Sequence, residues 1–305
     1  MRIGIVILPD QRWSVAGRRW QRAEEYGFDH AWTYDHLGWR DLVDGPWFDA
    51  VPTLTAAAMV TRRIRLGTYV ASPNFRHPVH FAREVTAVDD ISQGRLMLGL
   101  GAGGVGFDAE VLGTPELTPG QRVDRFAEFL DVLNRVVLGD EPVNHQGGYY
   151  TAVDARGNPG PVQRPRPPFV VAAGGKRALR LAARLGDGWV TTGVAGVAGG
   201  ANFSVPDSAA QWWDSVARLS AGFDEALDEA GRARDAVPRY LNLDSSPVYS
   251  MSSVEAFTDA VGRAGELGFT DVITHWPRER SWYAGDEKVL ESVASRLPRL
   301  RAGGA

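Results

Sequence analysis

The sequence predicts an α/β protein, a (β/α)8 TIM barrel with insertions after strands four and six. Three observations predict it. Eight short apolar runs alternate with amphipathic helical segments along the chain. The runs are apolar throughout rather than alternating, as strands buried on both faces are. The 305 residues are long for one open sheet and ordinary for one barrel. An open doubly wound sheet is the competing architecture, and a count of eight favours the closed one. No stretch reads as a linker, so residues 1–305 are expected to form one domain.

The elements follow in order. Strand one covers residues 3–8, and the helix at 14–26 stops at Gly27, which suits the left-handed position past a helix end. Strand two covers 29–33, a polar loop 34–46, and a helix 49–61. Strand three spans 64–71, and the helix at 78–92 begins with Pro78, whose missing N–H costs nothing in a first turn. Strand four spans 95–100 and a long helix 122–138. A Pro- and Gly-rich insertion fills 140–168, with a strand pair expected over 147–153. Strand five is 169–173, its helix 177–185, and strand six 188–192. The Gly/Ala/Val-rich stretch 193–205 reads as a mobile loop. The remaining units are a helix at 208–230, strand seven at 239–243, a helix at 254–267, strand eight at 270–274 and a last helix at 287–297.

Composition narrows the function. With 44% apolar residues the chain can build a large core. A net charge of −4 argues against a nucleic-acid partner. The absence of cysteine removes disulfides, thiol nucleophiles and thiolate metal sites. The opening MRIGIVILPD is too short in its apolar part for a signal peptide, and no run approaches the roughly 18 residues of a membrane span. A soluble, cytoplasmic protein without a membrane partner is the expectation.

In a barrel, chemistry gathers where the strands end. Strand two ends in Tyr34-Asp35-His36-Leu37-Gly38-Trp39-Arg40, and strand three in Ser72-Pro73-Asn74-Phe75-Arg76-His77. Strand four ends in Gly101-Ala102-Gly103-Gly104, strand five in Gly174-Gly175-Lys176-Arg177, strand six in Thr191-Thr192 and strand eight in His275-Trp276. Gly99, Gly101 and Gly104 fit a GxGxxG pattern, but in the fourth unit rather than the first, where a dinucleotide fingerprint belongs. They form either a tight turn or bare backbone against which a planar ring can lie. Gly174-Gly175-Lys176-Arg177 frees amides at a helix start beside two cations, the chemistry of an anion site. A histidine beside a carboxylate makes Asp35-His36 the sharpest polar pair. His77 and His80 have a spacing that metals use, but no third ligand is evident and no metal is expected.

These residues carry a resemblance. The stretches AWTYDH, TRRIRLGTYVASPNFRHP, AREVTAVDDISQGRLMLGLGAGG and FVVAAGGKRALRLAARLGDGWV resemble the luciferase-like monooxygenase superfamily over about residues 1–192. The compact length and the YDH motif are similar to its branch of oxidoreductases that use coenzyme F420, a deazaflavin. The resemblance implies that Asp35 and His36 lie near the reactive ring, Val70 and Ser72 contact it from strand three, and Gly174 and Gly175 surround the phosphate. It implies a non-prolyl cis peptide at Tyr69–Val70. Gly101, Ala102, Gly103, Gly104, Phe107, Lys176 and Arg177 complete the expected cofactor contacts. His36 is the expected proton carrier, with Asp108 second. Trp39, Asn74 and Trp276 are expected at a small-molecule substrate, within an aromatic lining that suits a flat or apolar one.

One departure matters. The sugar-phosphate dehydrogenases of that branch carry a catalytic Glu after the glycine loop and an Asn three residues on; here stand Gly104 and Phe107. Glucose-6-phosphate oxidation is therefore not expected. Hydride transfer between F420 and a C=C, C=N or alcohol is the first reading, with a place in secondary metabolism. An FMN-dependent monooxygenase is the alternative, and a flavin-binding protein without turnover the third. A homodimer is the expected assembly.

Overall fold

Chain order is β1 (Arg2–Val6), α1 (Trp13–Glu25), β2 (His30–Thr33), α2 (Ala50–Val60), β3 (Arg65–Ala71), α3 (Pro78–Ile91), β4 (Leu96–Leu100), α4 (Phe107–Glu110), α5 (Pro119–Leu138), β5 (Val143–Gln146) and β6 (Thr151–Ala155). Then follow β7 (Phe169–Ala172), α6 (Lys176–Leu185), β8 (Gly188–Thr191), α7 (Ala209–Glu229), β9 (Arg239–Asn242), α8 (Val254–Glu266), β10 (Asp271–His275), α9 (Glu287–Ala294) and α10 (Leu297–Arg301). This structure, a computed structural model, describes residues 1–139, 141–194 and 206–301. Most of the expected mobile loop thus lies outside the described residues.

Eight strands close in the order β1-β2-β3-β4-β7-β8-β9-β10, and every pair is parallel. The closed barrel is the predicted fold. Side chains alternate across each strand, which splits the core in two. One set packs between strands and helices, including Ile3, Ile5, Leu66, Phe81, Phe126 and Phe129. The other fills the barrel: Val6, Trp32, Tyr69, Met97, Val170, Val190, Tyr240 and Ile273. Below these, buried Asp271 takes two bonds of 2.7 Å from Arg2 and one of 3.1 Å from His30. The lower end is thus filled by side chains, and a large cavity opens toward the strand ends.

Local signals set the boundaries. Helix α5 starts three residues earlier than expected, because Thr118 and Gln121 form a reciprocal cap and Pro119 takes the first turn. Gly139 at φ 72° ends it. The insertion after β4 forms the antiparallel hairpin β5–β6, whose turn falls at 147–150. The expected strand pair is therefore present but wider than predicted. The four-residue helix α4 was not read from the sequence, since one turn leaves no periodicity to detect.

Candidate active site

A cavity of about 1050 Å³ opens at the C-terminal ends of the strands. Of the residues expected at cofactor or substrate, His36, Trp39, Val70, Ser72, Asn74, Gly101, Ala102, Gly103, Gly104, Gly174, Gly175, Lys176 and Arg177 all line it. Asp35, Phe107 and Trp276 do not.

The phase of the strands explains two of these exceptions. Along β2 and its continuation, Trp32 and Tyr34 point into the barrel. Asp35 is one residue out of phase and points away. There it accepts two bonds from Arg76, at 2.6 Å from Nε and 2.7 Å from Nη2, with both side chains almost fully buried. Burial works against the Arg76 charge, but the bidentate contact wins and holds the guanidinium above its ordinary pKa. Asp35 thus anchors the loop and stands behind the cavity wall. In β10, Ile273 faces inward and so does His275. Trp276 faces out, stacks on Tyr26 at 6.2 Å and donates to Glu287 at 2.8 Å. Phe107 lies half-exposed beside Gly38, outside the cavity wall.

His36 returns to the inward phase. Its Nδ1 donates to Asp108, which α4 brings into reach. The other oxygen of Asp108 accepts from the amides of Leu37, at 2.7 Å, and Gly38, at 3.4 Å. Trp47 donates to the His36 carbonyl at 2.8 Å. The imidazole is therefore fixed in one tautomer, with Nε2 as its remaining polar atom.

The glycine loop after β4 is pinned by Asn74, whose amide donates to the Gly104 carbonyl at 3.1 Å. Gly103 has φ 74°, and a β-carbon there would stand 2.3 Å from Asn74 Oδ1, so only glycine fits. The Tyr69–Val70 bond is cis, and both side chains line the cavity. Two features leave room for a planar, phosphate-bearing group here. The Tyr69 hydroxyl is buried at the cavity edge, with Asn242 beside it and no hydrogen bond of full geometry among the described residues. A β-carbon on Gly175 would meet nothing within 4 Å, so the start of α6 presents open backbone beside Lys176 and Arg177.

The outer wall is aromatic. Arg40, at φ 51°, stacks over Trp39 at 4.6 Å and Trp282 at 4.1 Å. Trp282 donates to Asp41 at 2.7 Å, which ties the loop after β2 to the loop after β10. Sequence reading passed over Tyr34, Tyr69, Asp244, Tyr249 and Tyr283, all of which line the cavity. Tyr34 stood in the motif already quoted, and its inward phase was the usable signal. Tyr283 sits in a loop that leaves no pattern. Among the described residues no cluster of His, Asp or Glu is arranged to hold a metal, and no helix is long and apolar enough to cross a membrane. His77 instead caps α3, accepting from the Val79 amide at 3.3 Å.

Fold and site together define a closed (β/α)8 barrel whose candidate site is the cavity at its strand ends. The chain belongs to the luciferase-like monooxygenase family, whose model matches residues 1–213. It is 34% identical over 196 residues to the 4-hydroxyprotoasukamycin monooxygenase of Streptomyces nodosus subsp. asukaensis, covering 63% of this chain and 50% of that protein. It is 32% identical to the F420-dependent glucose-6-phosphate dehydrogenase of Beutenbergia cavernae, over 92% of this chain and 91% of the relative. Among solved structures, the coenzyme F420-dependent tetrahydromethanopterin reductase of Methanopyrus kandleri superposes with TM-score 0.74 at 19% identity, covering 98% and 99% of the two chains. The match to the Streptomyces enzyme spans only half that protein's length.

Proposed function

We propose that the protein is an F420-dependent oxidoreductase that moves hydride between the deazaflavin and a small organic substrate. The observation that carries this reading is one cavity holding both a bare helix start and a histidine of fixed tautomer. The near full-length likeness to a relative named as an F420-dependent dehydrogenase supports the choice of cofactor. Gly174, Gly175, Lys176 and Arg177 would hold its phosphate end. Val70 and the glycines 101–104 would lie along the ring. When bound, the deazaflavin supplies hydride donation and acceptance. The chain's own part is to orient, to exclude water and to move protons, one of which His36 Nε2 would carry with Asp108 behind it.

The substrate is not proposed to be a sugar phosphate. Gly104 stands where the resemblance places a catalytic Glu. Asp108 brings a carboxylate to the site from four residues further on, and spends it on His36. Trp39, Trp282 and Tyr283 favour a flat, largely apolar substrate.

The likeness to the Streptomyces monooxygenase supports a second reading, an FMN-dependent monooxygenase. Fluorescence titration with oxidised F420 and, separately, with FMN tests both. Tight F420 binding with weak FMN binding is expected. Preference for FMN would transfer the site to oxygen chemistry.

A further inference from the structure

Three side chains of the cavity wall, Tyr283, Tyr34 and Asp244, are joined through the buried His275 in one line of hydrogen bonds, and its direction is set from the buried end. Asp244 takes four donors. The Ser250 amide reaches Oδ1 at 3.0 Å. On Oδ2 converge the His275 amide at 2.6 Å, His275 Nδ1 at 2.8 Å and the Thr274 hydroxyl at 3.2 Å. A carboxylate that accepts from Nδ1 fixes the imidazole proton there, so Nε2 carries a lone pair. The Tyr34 hydroxyl, 2.9 Å from Nε2, must therefore donate to it. The Tyr34 oxygen is then free to accept, and the Tyr283 hydroxyl donates to it at 2.8 Å. Tyr283 lines the cavity, so its oxygen offers lone pairs to whatever lies there. His275 is fully buried and lies under the Tyr283 ring at 3.6 Å and 9°. The Tyr249 hydroxyl holds its carbonyl at 2.7 Å. The imidazole has no room to turn over.

We propose that Tyr283, Tyr34 and His275, aligned by Asp244, form a proton relay that removes the proton of a hydroxyl-bearing substrate and stores it on His275 Nε2. The bonds balance. The substrate O–H, the Tyr283 O–H and the Tyr34 O–H break, while new O–H bonds form on Tyr283 and Tyr34 and an N–H forms on His275. The electron pair stays on the substrate oxygen, and the imidazolium faces the Asp244 carboxylate. Run backwards, the same line delivers a proton. Tyr283 is the member that meets substrate, and Tyr34 and His275 act through it. Burial lowers the proton affinity of His275, so the resting imidazole is neutral with Nε2 unprotonated, and the Asp244 carboxylate on Nδ1 is what offsets that cost when Nε2 takes the proton. This relay is separate from the His36–Asp108 pair, which meets solvent: the His36 side chain is 26% exposed and that of His275 is 0%. It rests on reading the cavity as the seat of the reaction.

Two measurements on the full chain, both without cofactor, test it. The first is nitrogen NMR of histidine-labelled protein. We expect His275 to carry its proton on Nδ1, with an Nε2 signal that moves on Tyr34→Phe and moves less on Tyr283→Phe. A proton on Nε2, or a signal indifferent to Tyr34→Phe, overturns the wiring. The second uses 4-nitrophenol as probe, below its solution pKa. The wild type should bind it as the coloured phenolate, and Tyr283→Phe and Tyr34→Phe should lower the bound phenolate-to-phenol ratio about tenfold or more, one pKa unit. A merely structural line of bonds would leave that ratio unchanged. An equal ratio in all three proteins, or no binding of the phenol, overturns the relay. Failure to bind F420 would sink the proposed function and leave this result standing.

Discussion

His36 and Asp108 are bonded through Nδ1, and the second Asp108 oxygen is tied to the backbone of the loop that carries His36. The residue that sets the tautomer therefore also sets the position of the ring. Asp108→Asn removes the acceptor for Nδ1–H and lets the imidazole adopt the other tautomer. Turnover should fall on the order of 100-fold, the scale of one general acid–base group. The fold should persist, because Asn retains one oxygen for the amides of Leu37 and Gly38. Steady-state rates beside a melting curve check this. Equal loss of rate and of folded protein would refute a positioning role.

Asp35 and Arg76 form a buried bidentate pair, and Arg76 also donates to Glu84 at 2.8 Å, so losing Arg76 strands the buried Asp35 whereas losing Asp35 leaves Arg76 one partner. Arg76→Met should destabilise the fold by about 3–5 kcal/mol, and Asp35→Ala by less. The double variant should cost less than the sum of the two, because the stranded charge is gone. Urea unfolding of the three variants measures the coupling. Strict additivity would mean that the pair contributes nothing as a pair.

Much of the barrel was legible because each strand is a continuous apolar run bounded by glycine or polar loops. Much of the site was legible because barrels put chemistry at strand ends, and the glycines at 101–104 and 174–175 mark bare backbone there. What sequence alone did not separate was mostly phase. Asp35 and Trp276 sit at strand ends, yet each is one residue out of step with its inward neighbour, Tyr34 or His275. A period of two applied to Trp32-Thr33-Tyr34 and to Ile273-Thr274-His275 separates them. Tyr283 and Asp244 were illegible for a different reason. They come from loops after different strands and meet only once the barrel closes.

The start of α6 offers a clean separation of binding from stability. Gly175 has φ −114° and ψ 153°, open to any residue, and space where a β-carbon would go. Gly175→Ala should leave unfolding within about 0.5 kcal/mol of wild type. It should weaken F420 binding about tenfold, a cost near 1.4 kcal/mol, because the methyl covers the amides meant for phosphate. Lys176→Glu should weaken it further, and added salt should narrow the difference as screening grows. Fluorescence titration at two ionic strengths decides. Unchanged affinity in Gly175→Ala would move the phosphate end elsewhere.

Stability should also report on His275. Burial lowers its pKa in the folded state, with Asp244 pulling the other way, and Tyr34, Tyr283 and Tyr249 are the other titratable groups that face it. In the unfolded chain the ring titrates near the ordinary value of about 6.5. As pH falls through that value, the unfolded state takes up a proton that the folded state refuses. Stability is therefore present above about pH 6.5 and declines below it, until the folded ring titrates too. One such group gives a slope of at most about 1.4 kcal/mol per pH unit. His77, also lowered by burial, adds to the same window from the rim of the barrel. Urea unfolding at several pH values between about 5.5 and 7.5, compared with His275→Gln, isolates the buried ring. The variant should be less stable at neutral pH and flatter across the window. A variant as steep as the wild type would mean that His275 is protonated in the folded protein, and that its Nε2 has no lone pair to offer Tyr34.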